Sequence, residues 1–156
     1  MSTVSIECIY TIPLKKGRYY IGRTRNLTHR LTDHASGEGC EWTKKYPPLK
    51  TKKEQVEPLN GSFGQEDHKV KEMMMTHGID KVRGGSYSSV NLTPGQEWFL
   101  QKEFRTHANT CLGCGSSTHY IEACPDQYPT KKRRKLNPST KSRKTKPTKT
   151  KIKSKN

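Results

Sequence analysis

Thirteen of the chain's 30 basic side chains, and none of its 14 acidic ones, fall within residues 131–156. That stretch, KKRRKLNPSTKSRKTKPTKTKIKSKN, has Leu136 and Ile152 as its only large apolar residues. It cannot bury enough surface to offset the entropy of ordering, so whatever folds must fold from the residues before it. The sequence therefore predicts a disordered basic tail over 125–156 and one compact domain with appendages among the 156 residues. Residues 1–130 carry 17 basic and 14 acidic side chains, so most of the formal charge of +16 sits in the tail. Such a tail suits a polyanionic partner, as an arm that neutralises phosphates without reading sequence. The run Lys131–Lys135 also fits a nuclear-localisation signal. With 29% hydrophobic residues and a mean hydropathy of -1.03, no membrane span and a soluble protein are expected. No basic helix with an apolar face is visible, so nucleic acid is preferred over an anionic membrane as the partner.

Five cysteines are an odd number for a disulfide set, and three of them lie within residues 111–124, CLGCGSSTHYIEAC. A reducing, intracellular compartment is expected. Cys111, Cys114, His119 and Cys124 have the spacing C-x2-C-x4-H-x4-C, and three thiolates with one imidazole satisfy a tetrahedral Zn2+. Four protein ligands leave no open position for water, so the ion would be structural. The stretch resembles the retroviral-type CCHC zinc knuckle, whose relatives bind single-stranded nucleic acid with small apolar faces. Leu112 and Tyr120 would occupy those faces, or Tyr120 packs on the knuckle's own backbone.

In the front of the chain Val4, Ile6, Cys8, Tyr10 and Ile12 alternate with Ser5, Glu7, Ile9 and Thr11, which predicts a strand with one face buried. Residues 13–17 break the pattern and residues 18–22 resume it, as in a hairpin. Asn26 can cap a helix over LTHRLTDHA, with Leu27 and Leu31 on the core side and Arg30 and His34 displayed together on another. Residues 36–55 read as a long cationic surface loop anchored by Trp42, a plausible nucleic-acid contact. Val56 to Leu59 suggests another strand and Gln65 to Met75 a helix with Glu66 on its apolar edge. Thr93-Pro94-Gly95-Gln96 combines an N-cap residue, a first-turn proline and a glutamine at the third position, so a last helix runs from Pro94 to about Thr106.

The stretch CIYTIPLKKGRYYIGRTRNLTHRLTDH, with triplets Cys8-Ile9-Tyr10 and Tyr20-Ile21-Gly22, a helix carrying Arg30 and His34, and a carboxylate on the next helix, resembles the GIY-YIG nuclease family over roughly residues 4–80. That family includes homing endonucleases and DNA-repair incision enzymes. The stretch HGIDKVRGGSY (77–87), followed by a helix and a knuckle, is further similar to an uncharacterised subgroup encoded by large DNA viruses and some protists. The resemblance implies a small α+β domain with a three-stranded antiparallel sheet flanked by helices. It implies that Tyr10 and Tyr20 line the active site, that Arg23 and Arg30 face the scissile phosphate, and that Glu66 holds Mg2+, or Mn2+ in its place. Tyr10 is favoured over Tyr20 as the base, and His34 would orient a tyrosine or touch a phosphate. Cys8 stands where the family usually has glycine. Asp67 and Glu72 are rival carboxylates, Asp67 because a slip of one residue would exchange it with Glu66. Outside the family pattern the plainer readings are packing for the tyrosines, a solvated face for the arginines and helix-dipole complementarity for Glu66.

The expected organisation is a GIY-YIG-like nuclease domain over 1–92, a connecting helix over 93–110, a CCHC knuckle over 111–124 and the tail. The expected function is metal-dependent endonucleolytic hydrolysis of nucleic acid, DNA in preference to RNA, in the nucleus or at a viral replication site. The rivals are a catalytically inactive nucleic-acid adaptor and a tail-driven packaging protein.

Overall fold

A computed structural model describes residues 7–126. The tail expected over 125–156, with its run Lys131–Lys135, lies outside the described residues apart from Pro125 and Asp126, as do Val4 and Ile6 of the first strand. Strand β1 spans Cys8–Leu14 and β2 spans Arg18–Thr24, joined by a tight turn over Lys15–Gly17. Helix α1 follows over Leu27–Ser36, then a short helix α2 over Glu41–Lys45. Strand β3 (Gln55–Pro58), helix α3 (Gln65–His77), strand β4 (Val82–Gly84) and helix α4 (Pro94–His107) complete the domain.

The sheet is four-stranded and mixed, in the order β3-β1-β2-β4, rather than the three-stranded antiparallel sheet expected. β1 pairs antiparallel with β2 and β3, and β4 pairs parallel with β2 through Tyr19↔Val82 and Ile21↔Gly84. Three residues are too few to display a period of two, so β4 left no alternation in the sequence. Parallel pairing needs a long crossover, and the chain between β2 and β4 provides it.

Apolar clusters on both faces of the sheet also correct the expectation that β1 buries one face. Ile9 faces a cluster with Ile21, Val70, Met74, Val82 and Leu100, while Tyr10, Ile12 and Leu14 face a second cluster with Tyr20 and Trp42. Helices α3 and α4 thus cover one side of the sheet, and α1 and α2 the other. Burying each large apolar side chain contributes about 1.5–3 kcal/mol, and neither layer is optional for so small a domain.

The helix starts follow their local capping residues. The Asn26 side chain accepts from the His29 amide, and Thr93 and Gln96 form a reciprocal capping box. Residues 36–55 are not a plain loop: α2 interrupts them, and Trp42 is buried, its Nε1–H donating to the Tyr19 carbonyl at 3.1 Å. The Arg83 and Arg18 guanidinium groups lie 4.6 and 5.2 Å from the Trp42 ring centre. Among the described residues, no helix is long and apolar enough to cross a membrane.

Candidate functional site

Tyr10 projects from β1 toward α1, and its hydroxyl reaches two side chains one helical turn apart. Arg30 Nε–H donates to it at 3.2 Å and His34 Nε2 lies 3.0 Å away. Room for that hydroxyl comes from the opposite strand, where Gly22 pairs with Tyr10 and a β-carbon would collide with the phenol oxygen. The glycine of the Tyr20-Ile21-Gly22 triplet is therefore required by contact.

The protonation pattern follows from the remaining bonds. Thr43 Oγ1 lies 3.0 Å from the Cys40 carbonyl and 3.0 Å from His34 Nδ1; when its proton goes to the carbonyl, it accepts from Nδ1. In that arrangement Nδ1 carries the proton, Nε2 accepts, and the Tyr10 O–H donates to Nε2. Burial first, and then the charge of Arg30, holds His34 down to about 4, so the imidazole is neutral at physiological pH. Burial also raises Tyr10 above its ordinary value, against the lowering effects of the Arg30 hydrogen bond and charge. Tyr20 is raised as well, chiefly by burial. Its ring centre lies 4.9 Å from that of His34 and 6.3 Å from that of Tyr10.

Two expectations change here. His34 is 1% exposed, so it is not displayed beside Arg30 but packed beneath it, where it can hold a tyrosine and not reach a free phosphate. Tyr10 and Tyr20 are themselves nearly covered, at 1% and 6% exposure. The i and i+4 spacing correctly put Arg30 and His34 on one stripe of α1; which way the stripe faced depended on α2, whose Thr43 closes over it.

Arg23 and Glu66 share an open pocket walled by residues of the β3–α3 connection and by Gly85 and Ser86; Tyr10, Tyr20, Arg30 and His34 are not among its lining residues. Of the influences on Tyr10, the negative charge of Glu66 is a lesser one that raises it. Partial burial raises Glu66, while Arg23 and the Gly85 amide pull it down and Asp67 pushes it up. Arg23 is largely exposed and pairs with Glu7 at 3.3 Å. The rival carboxylates are engaged elsewhere. Asp67 accepts from the Ser86 amide at 2.8 Å and the Ser86 hydroxyl at 2.6 Å, and Glu72 pairs with Lys69 at 3.2 Å. Among the described residues Glu66 has no ion-pair partner, so a desolvated carboxylate is left with charge to share. One hard oxygen ligand, completed by waters and phosphate oxygens, fits a divalent cation of the Mg2+ type.

The second site is separate in sequence. One ligand atom each from Cys111, Cys114, His119 and Cys124 lies within 4.8 Å of all the others. A tetrahedron with Zn–S of about 2.3 Å has ligand atoms about 3.8 Å apart, so the cluster could hold a zinc ion. Cys114 Sγ and His119 Nε2 are 3.2 Å apart, and Thr118 Oγ1 meets His119 Nδ1 at 3.2 Å, which leaves Nε2 for a metal. The Cys114 amide, foremost, draws the Cys111 thiol down to about 6, while burial pushes Cys124 up to about 11. Arg105 on α4 donates through Nη1 to the Leu112 and Gly113 carbonyls at 2.8 and 2.6 Å, so the helix holds the turn that presents the first two cysteines. Of the two residues expected on the knuckle's faces, Tyr120 is exposed and Leu112 half-buried, with Ile121 exposed beside Tyr120.

The sequence did not point to Thr43, the Cys40 carbonyl, Ser86 or Arg105. Each acts through a contact between segments distant in the chain or through a backbone carbonyl, and neither leaves a spacing to read.

The family model of the GIY-YIG catalytic domain matches residues 6–74. The match runs from β1 into α3 and takes in Tyr10, Tyr20, Arg23, Arg30, His34 and Glu66; β4, α4 and the Cys/His cluster lie beyond it. A domain of this type implies nuclease activity on a nucleic-acid substrate with a divalent metal. No curated protein and no solved structure matches the chain.

Proposed function

We propose that the protein is a metal-dependent endonuclease that hydrolyses phosphodiester bonds, DNA in preference to RNA, through Tyr10, Arg30, His34, Arg23 and Glu66. The observation that carries this reading is the Tyr10 hydroxyl fixed between a guanidinium donor and a neutral imidazole.

Burial keeps the phenol protonated at neutral pH, so Tyr10 does not act as a standing phenolate. It acts instead as a relay. As the attacking water gives a proton to the Tyr10 oxygen, the proton already on that oxygen passes to His34 Nε2, and Thr43 keeps that nitrogen free to receive it. The resulting hydroxide forms the new P–O bond while the bond to the leaving oxygen breaks, and a proton from solvent completes the alcohol. Arg23 and Arg30 balance the negative charge that builds on the phosphoryl oxygens. A Mg2+ or Mn2+ ion held by Glu66 would add Lewis-acid charge at the same phosphate. Tyr20 shelters the imidazole as a packing partner.

The Cys/His cluster serves as a structural zinc knuckle, and with Tyr120, Ile121 and the basic tail it adds affinity for nucleic acid. The run Lys131–Lys135, and the likeness of residues 77–87 to a virus-encoded subgroup, favour action in the nucleus or at a viral replication site. The near-complete burial of both tyrosines favours a second reading, an adaptor that binds without cutting.

The two readings part on incubation of the full-length protein with plasmid, single strands and branched duplexes plus Mg2+ or Mn2+. Glu66→Gln and Arg30→Ala should each lower cleavage by about a hundredfold or more. Equal nicking by all three proteins would move the site elsewhere, and no cutting by the wild type would favour the adaptor.

A further inference from the structure

Phe63 is fully exposed, and it stands on the rim of the pocket that Glu66 and Arg23 share. A single exposed aromatic residue is ordinary on its own. Two observations set this one apart. The first is that its loop is built: the Asn60 amide donates to Gln65 Oε1 at 2.9 Å, the Ser62 amide donates to Asn60 Oδ1 at 2.9 Å, and the Gln65 side-chain amide donates back to the Pro58 carbonyl at 3.4 Å. Gly61 and Gly64, at φ 80° and 73°, take the left-handed turns this path requires. The loop is thus tied to both β3 and α3, and Phe63 is the large side chain it holds into solvent. The second is position, three residues before Glu66 at the start of α3, so ring and carboxylate belong to one wall.

A flat apolar ring beside a guanidinium and a cation-holding carboxylate matches the two halves of a nucleotide. The phosphate belongs at the charged end and the base at the ring. Every base offers a π-face, so such stacking tolerates any sequence. In a continuous duplex those faces are already occupied by neighbouring bases. We propose that Phe63 stacks on the nucleobase beside the scissile phosphate, so that the site takes single strands and the single-stranded side of branched junctions in preference to continuous duplex. The inference rests on the nuclease reading of the same pocket.

The test uses the full-length protein with Phe63→Ala, Phe63→Leu and Phe63→Trp. One readout is binding of 2-aminopurine-labelled oligonucleotides, single-stranded and duplex, without divalent metal; the other is cleavage of the same strands with Mg2+. A basic tail would bind both forms alike, so the comparison is the ratio of single-strand to duplex affinity at one salt concentration. Phe63→Ala should weaken single-strand binding and raise KM by about tenfold with duplex binding unchanged. Trp should restore the preference and Leu should not, since an aliphatic chain repeats the apolar area without the ring. The proposal is overturned if Phe63→Ala matches the wild type on single strands, if it weakens both forms alike, or if the wild type prefers duplex. A wild type that cuts nothing yet keeps the Phe63-dependent binding contrast would remove the nuclease reading and leave the stacking in place. Normal cleavage that ignores Phe63 would do the reverse.

Discussion

Tyr10 and Cys111 are both buried, at 1% and 0% exposure, but for unlike reasons. Tyr10 lies between a sheet and two helices, in a cluster with Ile12, Leu14, Tyr20 and Trp42, and would be covered whatever its hydroxyl did. Among the described residues neither apolar cluster includes any residue of 111–124. Cys111 is covered by its own turn, by the other three ligand residues and by the Arg105 clasp. In the first region packing fixes the positions of the reactive groups. In the second the reactive groups must supply the packing, and a metal ion held by the four ligand residues would be the means of doing so.

This difference is tested most severely by removing zinc. Stripping the ion with a chelator, or the substitution Cys114→Ser, should abolish amide-exchange protection over residues 111–124. The folding energy linked to such ions is on the order of 10 kcal/mol. Residues 7–92 should keep their protection under the same treatment. Loss of protection throughout would mean that the front domain depends on the knuckle and that the contrast between the regions is false.

A smaller effect is expected from His34. Its folded pKa of about 4 lies below the ordinary 6.5, so the unfolded chain takes up a proton that the folded chain refuses. The stability that depends on neutral His34 is fully present above pH about 6.5 and is lost as pH falls toward 4. At about 1.4 kcal/mol per unit the loss is on the order of 3 kcal/mol. Chemical denaturation of the wild type and of His34→Gln across that range should diverge, with the acid-dependent slope reduced in the variant. Parallel curves would mean that the imidazole is not held neutral in the core. In cleavage assays the same substitution should lower kcat by about a hundredfold with little change in KM, as expected when a proton acceptor is lost.

The smallest effect sharpens the choice among carboxylates. Ser86→Ala removes one of the two hydrogen bonds to Asp67 and should cost about 1 kcal/mol in urea unfolding, with cleavage nearly intact. A collapse of activity as deep as that of Glu66→Gln would point to Asp67 as the residue that holds the cation.

The parts of the molecule that are legible in the sequence share a physical property, in that their signals are local. Asn26 and the Thr93–Gln96 box cap helices because capping joins residues three apart, and the Cys/His spacing reads as a metal site because all four ligands lie within one short stretch. Alternation marked β1 and the hairpin turn for the same reason, even though it assigned only one buried face. The fourth strand was not legible, because three residues carry no period and the pairing of Val82 with Tyr19 joins positions far apart in the chain.

The sequence alone determined which side chains could do chemistry: two phenols, two guanidiniums, an imidazole and a carboxylate in one order, and four soft ligands in another. Tertiary structure decided how they are used. Packing α1 and α2 on the face of β1 and β2 that carries Tyr10 and Tyr20 buried both tyrosines, and closing α2 over α1 turned His34 from a displayed side chain into a buried neutral imidazole held by Thr43. The hydrogen bonds of Ser86 engage Asp67, while among the described residues its neighbour Glu66 has no ion-pair partner. Burial, tautomer and pairing depend on which distant segments come into contact, and that is a property of the packed chain that no spacing along it encodes.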